Sequence, residues 1–549
     1  MKIALAQLNY HIGNFESNRK KIIAQIERAK NEGADLVVFS ELSVCGYYPQ
    51  DLLEKREFVE RAISSVEVIA KSCNGIAALV GAPSINHENK GKKLYNSAYF
   101  LNDGKVEQVF NKTLLPTYDI FDEYRHFEPN QEFPVLEFKG QKIAVTICED
   151  IWDKQPTSNS FARERIYSKA PLEELSKQPL DLIINLSASP FSFNQEDYRK
   201  GILLRNASKY STPMVYVNQV GANTEIVFDG GSMFVDGNGE VVQELNYFEE
   251  DFRIIDTEDT SVSIQENRGD YIEKIHDALV LGVRDYFQKM GFKQATLGLS
   301  GGIDSAVVAV LAQRALGSEN VRVLLMPSKY SSDHSVKDAE DLAKNLGIQY
   351  ETVHIQSIVD QFETQMAPLF KGLDAGVTEE NIQARARGTL VMALSNKFGH
   401  ILLNTTNKSE CAVGYGTLYG DMNGGIAVLG DVYKTDVFKL ARFMNKDGEV
   451  IPENTIVKPP SAELRPDQKD TDSLPDYDTL DGVLFRYIEL NQSPEEIIEA
   501  GFEEAVVRRT IRMVNNNEYK RFQAAPILRI SSKAFGFGRM MPLVAKFPV

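Results

Sequence analysis

Cysteine is scarce in this chain. The 549 residues contain four, Cys45, Cys73, Cys148 and Cys411, and no two stand in Cys-x-x-Cys spacing. That suggests neither a disulfide framework nor a structural zinc site. A reducing compartment, the cytoplasm, is expected. Long apolar runs are missing too. None approaches the roughly 20 residues a membrane helix needs, so no membrane partner is expected. The opening Met1-Lys-Ile-Ala-Leu-Ala-Gln-Leu-Asn-Tyr10 turns polar at once and reads as a first strand, not a secretion signal. Basic charge is in deficit, with 60 Lys+Arg against 77 Asp+Glu and a net charge of −17. That balance argues against a nucleic-acid or anionic-membrane surface. An anionic nucleotide would have to be held by local amides, individual Lys and Arg, and metal. There is no internal repeat and no low-complexity tract.

What is present is an ordinary globular composition, 43% hydrophobic and 25% charged, in a chain too long for one core. The first half alternates apolar strands with helical periodicity. Strands are expected at Lys2–Leu8, Asp35–Phe39, Ile76–Gly81, Ser97–Leu101, Lys142–Ile147, Leu182–Leu186 and Met214–Asn218, and a helix at Asn18–Asn31. Val227–Val235 and Glu240–Leu245 read as two strands about the hairpin turn Asp236-Gly-Asn-Gly239. An acidic, Ser/Thr-rich stretch from Phe252 to about Gly269 is a candidate linker. The second half reads strand 296–299, helix 304–315, strand 321–326, helix 333–346, strand 350–355. That order argues for a doubly wound parallel sheet with ligands at the carboxyl ends of its strands. The Pro- and Asp-rich run Lys458–Asp476 reads as a loop.

The richest stretch is Thr296-Leu-Gly298-Leu299-Ser300-Gly301-Gly302-Ile303-Asp304-Ser305, an apolar strand, a polar glycine turn and the start of an apolar helix. Such a turn presents backbone N–H groups at a helix N-terminus, where the dipole favours anions. Gly301 and Gly302 let the backbone approach without a Cβ. Asp304 would repel phosphates unless it holds a Mg2+ that bridges to them. The order is not Walker A, which needs Gly-Lys-[Ser/Thr]. It resembles the pyrophosphate loop of the N-type ATP pyrophosphatases, which implies ATP cleavage between the α- and β-phosphates with adenylation of a substrate.

In the first half, Glu41, Lys112 and Cys148 each follow an apparent strand. A thiol acts as nucleophile only as thiolate, so it needs a base and a positive neighbour, which Glu41 and Lys112 can supply. Taken singly, the cysteine reads equally as a buried small hydrophobe, the glutamate as a cap and the lysine as a solvated charge. Together, in Phe-Ser-Glu41-Leu, Lys112-Thr-Leu-Leu-Pro and Ile-Cys148-Glu-Asp-Ile-Trp, they resemble the Glu–Lys–Cys triad of the carbon–nitrogen hydrolase (nitrilase) superfamily. That implies an αββα sandwich over roughly residues 1–250.

The two halves joined resemble one family, the glutamine-dependent NAD+ synthetases. The resemblance implies a glutaminase domain at 1–255, a linker at 256–270 and a synthetase domain at 271–549. It implies substrates glutamine, ATP and deamido-NAD+, with Mg2+, an adenylated intermediate, an ammonia tunnel, and a homo-oligomer, at least a dimer through the synthetase domain. Tyr118, Ser189 and Gln195 take the glutamine-binding positions. Gln195 is neutral where relatives are basic, and Arg199 is the nearest basic substitute. Thr405, Lys434 and Ser461 take ATP positions beside residues 298–305. Asn381, Arg385, Glu410 and Lys520 take deamido-NAD+ positions, Glu410 also joining Asp304 around the metal. Leu418 stands where ammonia-dependent relatives carry Lys. GMP- or asparagine-forming amidotransferases share the ATP loop but not the Asn381–Arg387 pattern or this glutaminase. A non-catalytic scaffold would not need the intact trio and loop.

Overall fold

The computed structural model describes residues 1–152, 167–193, 196–261, 269–466 and 468–546. Contacts divide the chain into two units, Met1–Arg268 and Gly269–Val549.

The first unit is built on two six-stranded sheets. β1 (Lys2–Gln7), β2 (Leu36–Val38), β3 (Ala77–Ile85), β4 (Leu94–Asn102) and β5 (Lys105–Asn111) lie side by side in that order. β6 (Leu136–Phe138), β7 (Gln141–Ile147), β8 (Leu182–Ser187) and β9 (Met214–Asn218) begin the second sheet. A small hairpin follows, β10 (Val220–Asn223) with β11 (Ile226–Asp229), before β12 (Met233–Val235) and β13 (Val241–Glu244) complete that sheet beside β9. β14 (Asp251–Asp256) then returns to pair antiparallel with β1.

Alternation along each strand assigns its faces. Ile3 and Leu5 of β1 meet Ile143, Val145, Leu182, Ile184 and Val215 between the sheets. Ala4 and Ala6 face the other way, into a cluster with Ile22 and Ile26 of α1 (Phe15–Asn31) and Val66 of α2 (Arg56–Ala70). On the far side of the second sheet, Ala144, Ile183 and Met214 pack with Leu172 of α3 (Pro171–Leu175) and with Ile202 and Leu203 of α4 (Glu196–Tyr210). The layers are α, β, β, α, as the nitrilase resemblance implies. Burial on both faces is why these strands read as unbroken apolar runs.

One expected strand is corrected. Val227–Val235 is not continuous: Gly230 and Gly231, at φ +77° and +63°, turn the chain, so β11 and β12 fall in different sheets. Glycine alone adopts that conformation without steric cost.

The second unit holds a five-stranded parallel sheet. After α5 (Tyr271–Met290) come β15 (Ala295–Gly298), α6 (Ile303–Leu316), β16 (Val321–Leu325), α7 (Asp333–Leu346) and β17 (Gln349–Thr352). β18 (Ile401–Asn404) and β19 (Ile426–Ala427) follow, giving the order β17-β16-β15-β18-β19. Winding reverses at β15, so a crevice opens at the carboxyl ends of β15 and β18. α6 is buried from Ser305 through Ala312, which is why its sequence is apolar all round.

Candidate active sites

In the first unit, Glu41, Lys112 and Cys148 come together although 107 residues separate the first from the last. Cys148 directly follows β7 and opens a one-turn 3-10 helix, Cys148–Ile151, at φ +43°. A non-glycine residue held there is a strained position of the kind that aims a side chain into a site. Lys112 directly follows β5. Its Nζ donates to Glu41 Oε1 at 2.7 Å and to Glu123 Oε1 at 2.8 Å, with all three side chains at most 1% exposed. Glu41 also accepts from Asn96 Nδ2 at 2.7 Å and from the Ala188 N–H at 3.0 Å. Burial opposes the charge on Lys112, but Glu123 and Glu41 outweigh it and hold the ammonium well above its ordinary range. Burial pushes the Cys148 thiol well up; Glu41 adds to this and Lys112 opposes it.

Sequence reasoning missed Glu123. It lies in Asp-Ile-Phe-Asp-Glu-Tyr-Arg, a polar stretch in which nothing marks one carboxylate over another. Tyr47 Oη holds it at 2.6 Å, and burial pushes its carboxyl up against the pull of Lys112. Glu149 and Asp150 were also missed, although two acids directly after an apolar strand are a visible signal. Asp150 Oδ1 accepts the N–H groups of Thr113 and Leu114 at 2.9 Å, which fixes the chain beyond Lys112. Glu149 accepts from Tyr118 Oη at 3.0 Å and Tyr167 Oη at 3.1 Å, and burial pushes it up to about 7. Ser189 is tied to Asn218, its N–H donating to Oδ1 at 2.9 Å. Gln195 lies outside the described residues. Arg199 is engaged elsewhere: its two terminal guanidinium nitrogens donate to Asp229 at 3.0 and 2.7 Å, in a buried bidentate pair.

In the second unit a cavity of about 590 Å³ opens at the crevice. Gly298, Leu299, Ser300, Gly302, Ile303, Asp304, Ser305, Thr405, Glu410, Lys434 and Ser461, eleven of the residues singled out from sequence, line it. Gly301 supports the loop from behind at φ +80°, and a Cβ there would stand 2.2 Å from the Ser335 carbonyl oxygen. The turn is organised by its own hydroxyls. Ser300 Oγ accepts the Gly302 N–H at 3.1 Å, and Ser305 Oγ donates to the Gly302 carbonyl at 3.0 Å.

Lys434 is not a surface lysine. It is 2% exposed, pairs with Asp304, and lies 3.6 Å from Glu410. Burial opposes its charge, but Asp304 and Glu410 prevail and raise it. Burial and Asp304 in turn push the Glu410 carboxyl up. Asp470, a further cavity residue not anticipated, is raised by burial and accepts from Tyr477 at 2.8 Å and Tyr415 at 3.3 Å. Three carboxylates thus share one ammonium, an excess of negative charge that a hard divalent cation would balance.

Asn381, Arg385 and Lys520 do not line this cavity. They converge on one segment instead. Asn381 Oδ1 accepts from Thr417 Oγ1 at 2.7 Å, Arg385 Nε donates to the Leu418 carbonyl at 3.2 Å, and Lys520 Nζ donates to the Gly414 and Gly416 carbonyls at 2.8 Å.

Known proteins match this arrangement along the whole chain. The family model described as carbon–nitrogen hydrolase matches residues 2–264, and that described as NAD synthase matches residues 275–524. The glutamine-dependent NAD(+) synthetase of Synechocystis sp. is 47% identical, with 99% of both chains covered. That of Thermotoga maritima is 41% identical over 100% of this chain and 99% of its own. The structure of the glutamine-dependent NAD+ synthetase from Acinetobacter baumannii in complex with adenosine diphosphate superposes with a TM-score of 0.78 at 40% identity, covering 99% of this chain and 98% of that one. The chain therefore belongs to the family of glutamine-dependent NAD+ synthetases.

Proposed function

We propose that the first unit hydrolyses glutamine through Cys148, and that the second adenylates deamido-NAD+ with ATP before ammonia displaces AMP to give NAD+. Cys148 Sγ attacks the amide carbon and its proton passes to Glu41. Lys112 faces the oxyanion, the largest single source of stabilisation in acyl transfer. Glu41 returns the proton to the departing ammonia, leaving a thioester. Water, deprotonated by Glu41, then attacks the thioester carbon and releases glutamate and the thiol. Glu123 holds Lys112 charged and in line. Glu149, one residue from the nucleophile and ringed by Tyr118 and Tyr167 hydroxyls, suits the α-ammonium of glutamine. Ser189 and the Gln195 amide are assigned to the same substrate by family resemblance.

In the second unit those N–H groups of the 300–305 turn that its own hydroxyls leave open bind phosphate oxygens, with Thr405, Lys434 and Ser461 around the nucleotide. Asp304 and Glu410 would hold a Mg2+, whose chemistry is to neutralise the phosphates and the departing pyrophosphate. The nicotinate carboxylate attacks the α-phosphorus and pyrophosphate leaves. Ammonia then attacks the acyl carbon and AMP leaves. Asn381, Arg385 and Lys520, gathered on Gly414–Leu418, are assigned to the dinucleotide.

The observation that carries the glutaminase half is the buried Lys112, clasped by Glu41 and Glu123 beside a thiol. The test is NAD+ formation from deamido-NAD+, ATP and Mg2+, with glutamine or ammonia as donor. Cys148→Ala is expected to abolish the glutamine-driven reaction and spare the ammonia-driven one. Loss of both in a folded variant would sink the two-site reading.

A further inference from the structure

Glu463 lines the nucleotide cavity, yet its charge is wrong for a wall that faces a triphosphate. A carboxylate there repels phosphate unless a cation intervenes, as proposed at Asp304 and Glu410, and Glu463 instead gives its side-chain oxygen to protein hydroxyls, so its part in the reaction is indirect. Its contacts show which part. Glu463 Oε1 accepts from Ser335 Oγ at 2.7 Å and from Ser332 Oγ at 2.9 Å. Its own N–H donates to Ser461 Oγ at 3.1 Å. Ser332 caps α7, a 14-residue helix, and Ser335 lies in its first turn, where the dipole favours a carboxylate. Lys458 Nζ reaches the same hydroxyl of Ser335 at 3.0 Å and Asp338 at 3.2 Å. Glu463 sits at φ +48°, a conformation an L residue keeps only when its surroundings impose it.

Ser335 is the hinge pin of this arrangement. Its hydroxyl meets the 458–466 wall, and its carbonyl oxygen occupies the space a Cβ on Gly301 would need, 2.2 Å away. One buried residue therefore touches the phosphate loop with its backbone and the Ser461 wall with its side chain. We propose that Glu463 is a positioning residue for ATP: through Ser335 it sets the wall that carries Ser461 at a fixed height over the phosphate loop. The assignment rests on reading this cavity as the ATP site. What the role requires is an oxygen acceptor for those hydroxyls at that place.

The test is ammonia-driven NAD+ formation by Glu463→Ala and Glu463→Gln, with ATP and deamido-NAD+ varied in turn. The alanine variant is expected to raise KM for ATP about tenfold and to leave KM for deamido-NAD+ within about twofold, a split that a simple loss of folded enzyme would not produce. The glutamine variant keeps an acceptor oxygen and is expected within about threefold of the parent. An unchanged KM for ATP in the alanine variant overturns the proposal. So does a glutamine variant as impaired as the alanine one. Asp304→Asn in the same assay separates the two readings. If it impairs ATP use while Glu463→Ala does not, only the positioning role falls; if neither does, the ATP site falls with it.

Discussion

Replacing Lys112 with methionine should injure the first unit in two separable ways. Lys112, Glu41 and Glu123 are fully desolvated, and the two carboxylates stand 2.7 and 2.8 Å from the ammonium. Methionine keeps most of the volume but leaves two buried carboxylates facing each other. Removing one partner of a buried ion cluster costs about 3–5 kcal/mol. Protonation relieves part of this, because like charges push a carboxyl up and Glu123 already stands above its ordinary value. The sign follows. A buried acid whose pKa is raised on folding folds best while protonated, so the deficit should grow as pH rises from 6 to 8. The expected loss is about 3 kcal/mol near pH 7, a fall of about 6–12 °C in the midpoint of the first unit. Glu123→Gln added to Lys112→Met removes one of the two anions and should return part of that fall. The chemistry should not return with it: losing the charge that faces the oxyanion costs about 10²–10³ in glutamine hydrolysis. Calorimetry at pH 6 and 8, with glutamate release assayed on the same samples, measures both. A Lys112→Met variant that unfolds within about 2 °C of the parent at pH 8 refutes the buried-cluster argument. One that still hydrolyses glutamine within about threefold of the parent refutes the role in catalysis.

Further outcomes follow from the same contacts. Asp304→Asn and Glu410→Gln should each lower ammonia-driven NAD+ formation about 10²–10³-fold at fixed Mg2+ and leave glutamine hydrolysis by the first unit in place; unchanged rates in both variants would remove them from the nucleotide site. Glu149, pushed up to about 7 by burial, loses its charge as pH falls below that value. kcat/KM for glutamine should therefore drop about tenfold per pH unit below 7, and the Glu149→Gln variant should be low and flat across that range, which a pH profile checks. Lys408 is fully buried and donates to Glu489 at 2.9 Å, Ser531 at 2.8 Å and the Lys533 carbonyl at 3.0 Å, with Asp431 at 2.8 Å. Lys408→Met should destabilise the second unit by about 3–5 kcal/mol and abolish synthetase activity, while glutamate release survives.

What the sequence disclosed, and what it withheld, follows from how local each feature is. The 298–305 turn carries its strand, its glycines and its helix within a dozen residues, so its chemistry and context could be read together. Strands β1, β7 and β8 are buried on both faces and announce themselves as apolar runs. Glu123 was invisible because its meaning lies in Lys112 and Tyr47, and the second of these is 76 residues away. Glu463 draws its meaning from Ser332 and Ser335, more than 120 residues earlier. Lys434 took its ATP position from the family resemblance alone, because burial is a property of the packed fold, not of Asp-Val-Tyr-Lys-Thr. The split of Val227–Val235 was written in Gly230-Gly231, but the apolar residues on either side masked it.

The strained, buried setting of Cys148 bears on the survival of the idle enzyme. Peroxide and electrophiles attack thiolate, not thiol. Burial and the adjoining carboxylates push the Cys148 thiol up and favour its protonated form, so, if it is the nucleophile, the surroundings that demand an activated base also shield it from oxidation. On the proposed mechanism, the sulfur becomes reactive as its proton moves to Glu41 with an amide carbon at hand to take the electron pair. On the proposed role, the protonated Cys148 is thus spared the damage a standing thiolate would invite.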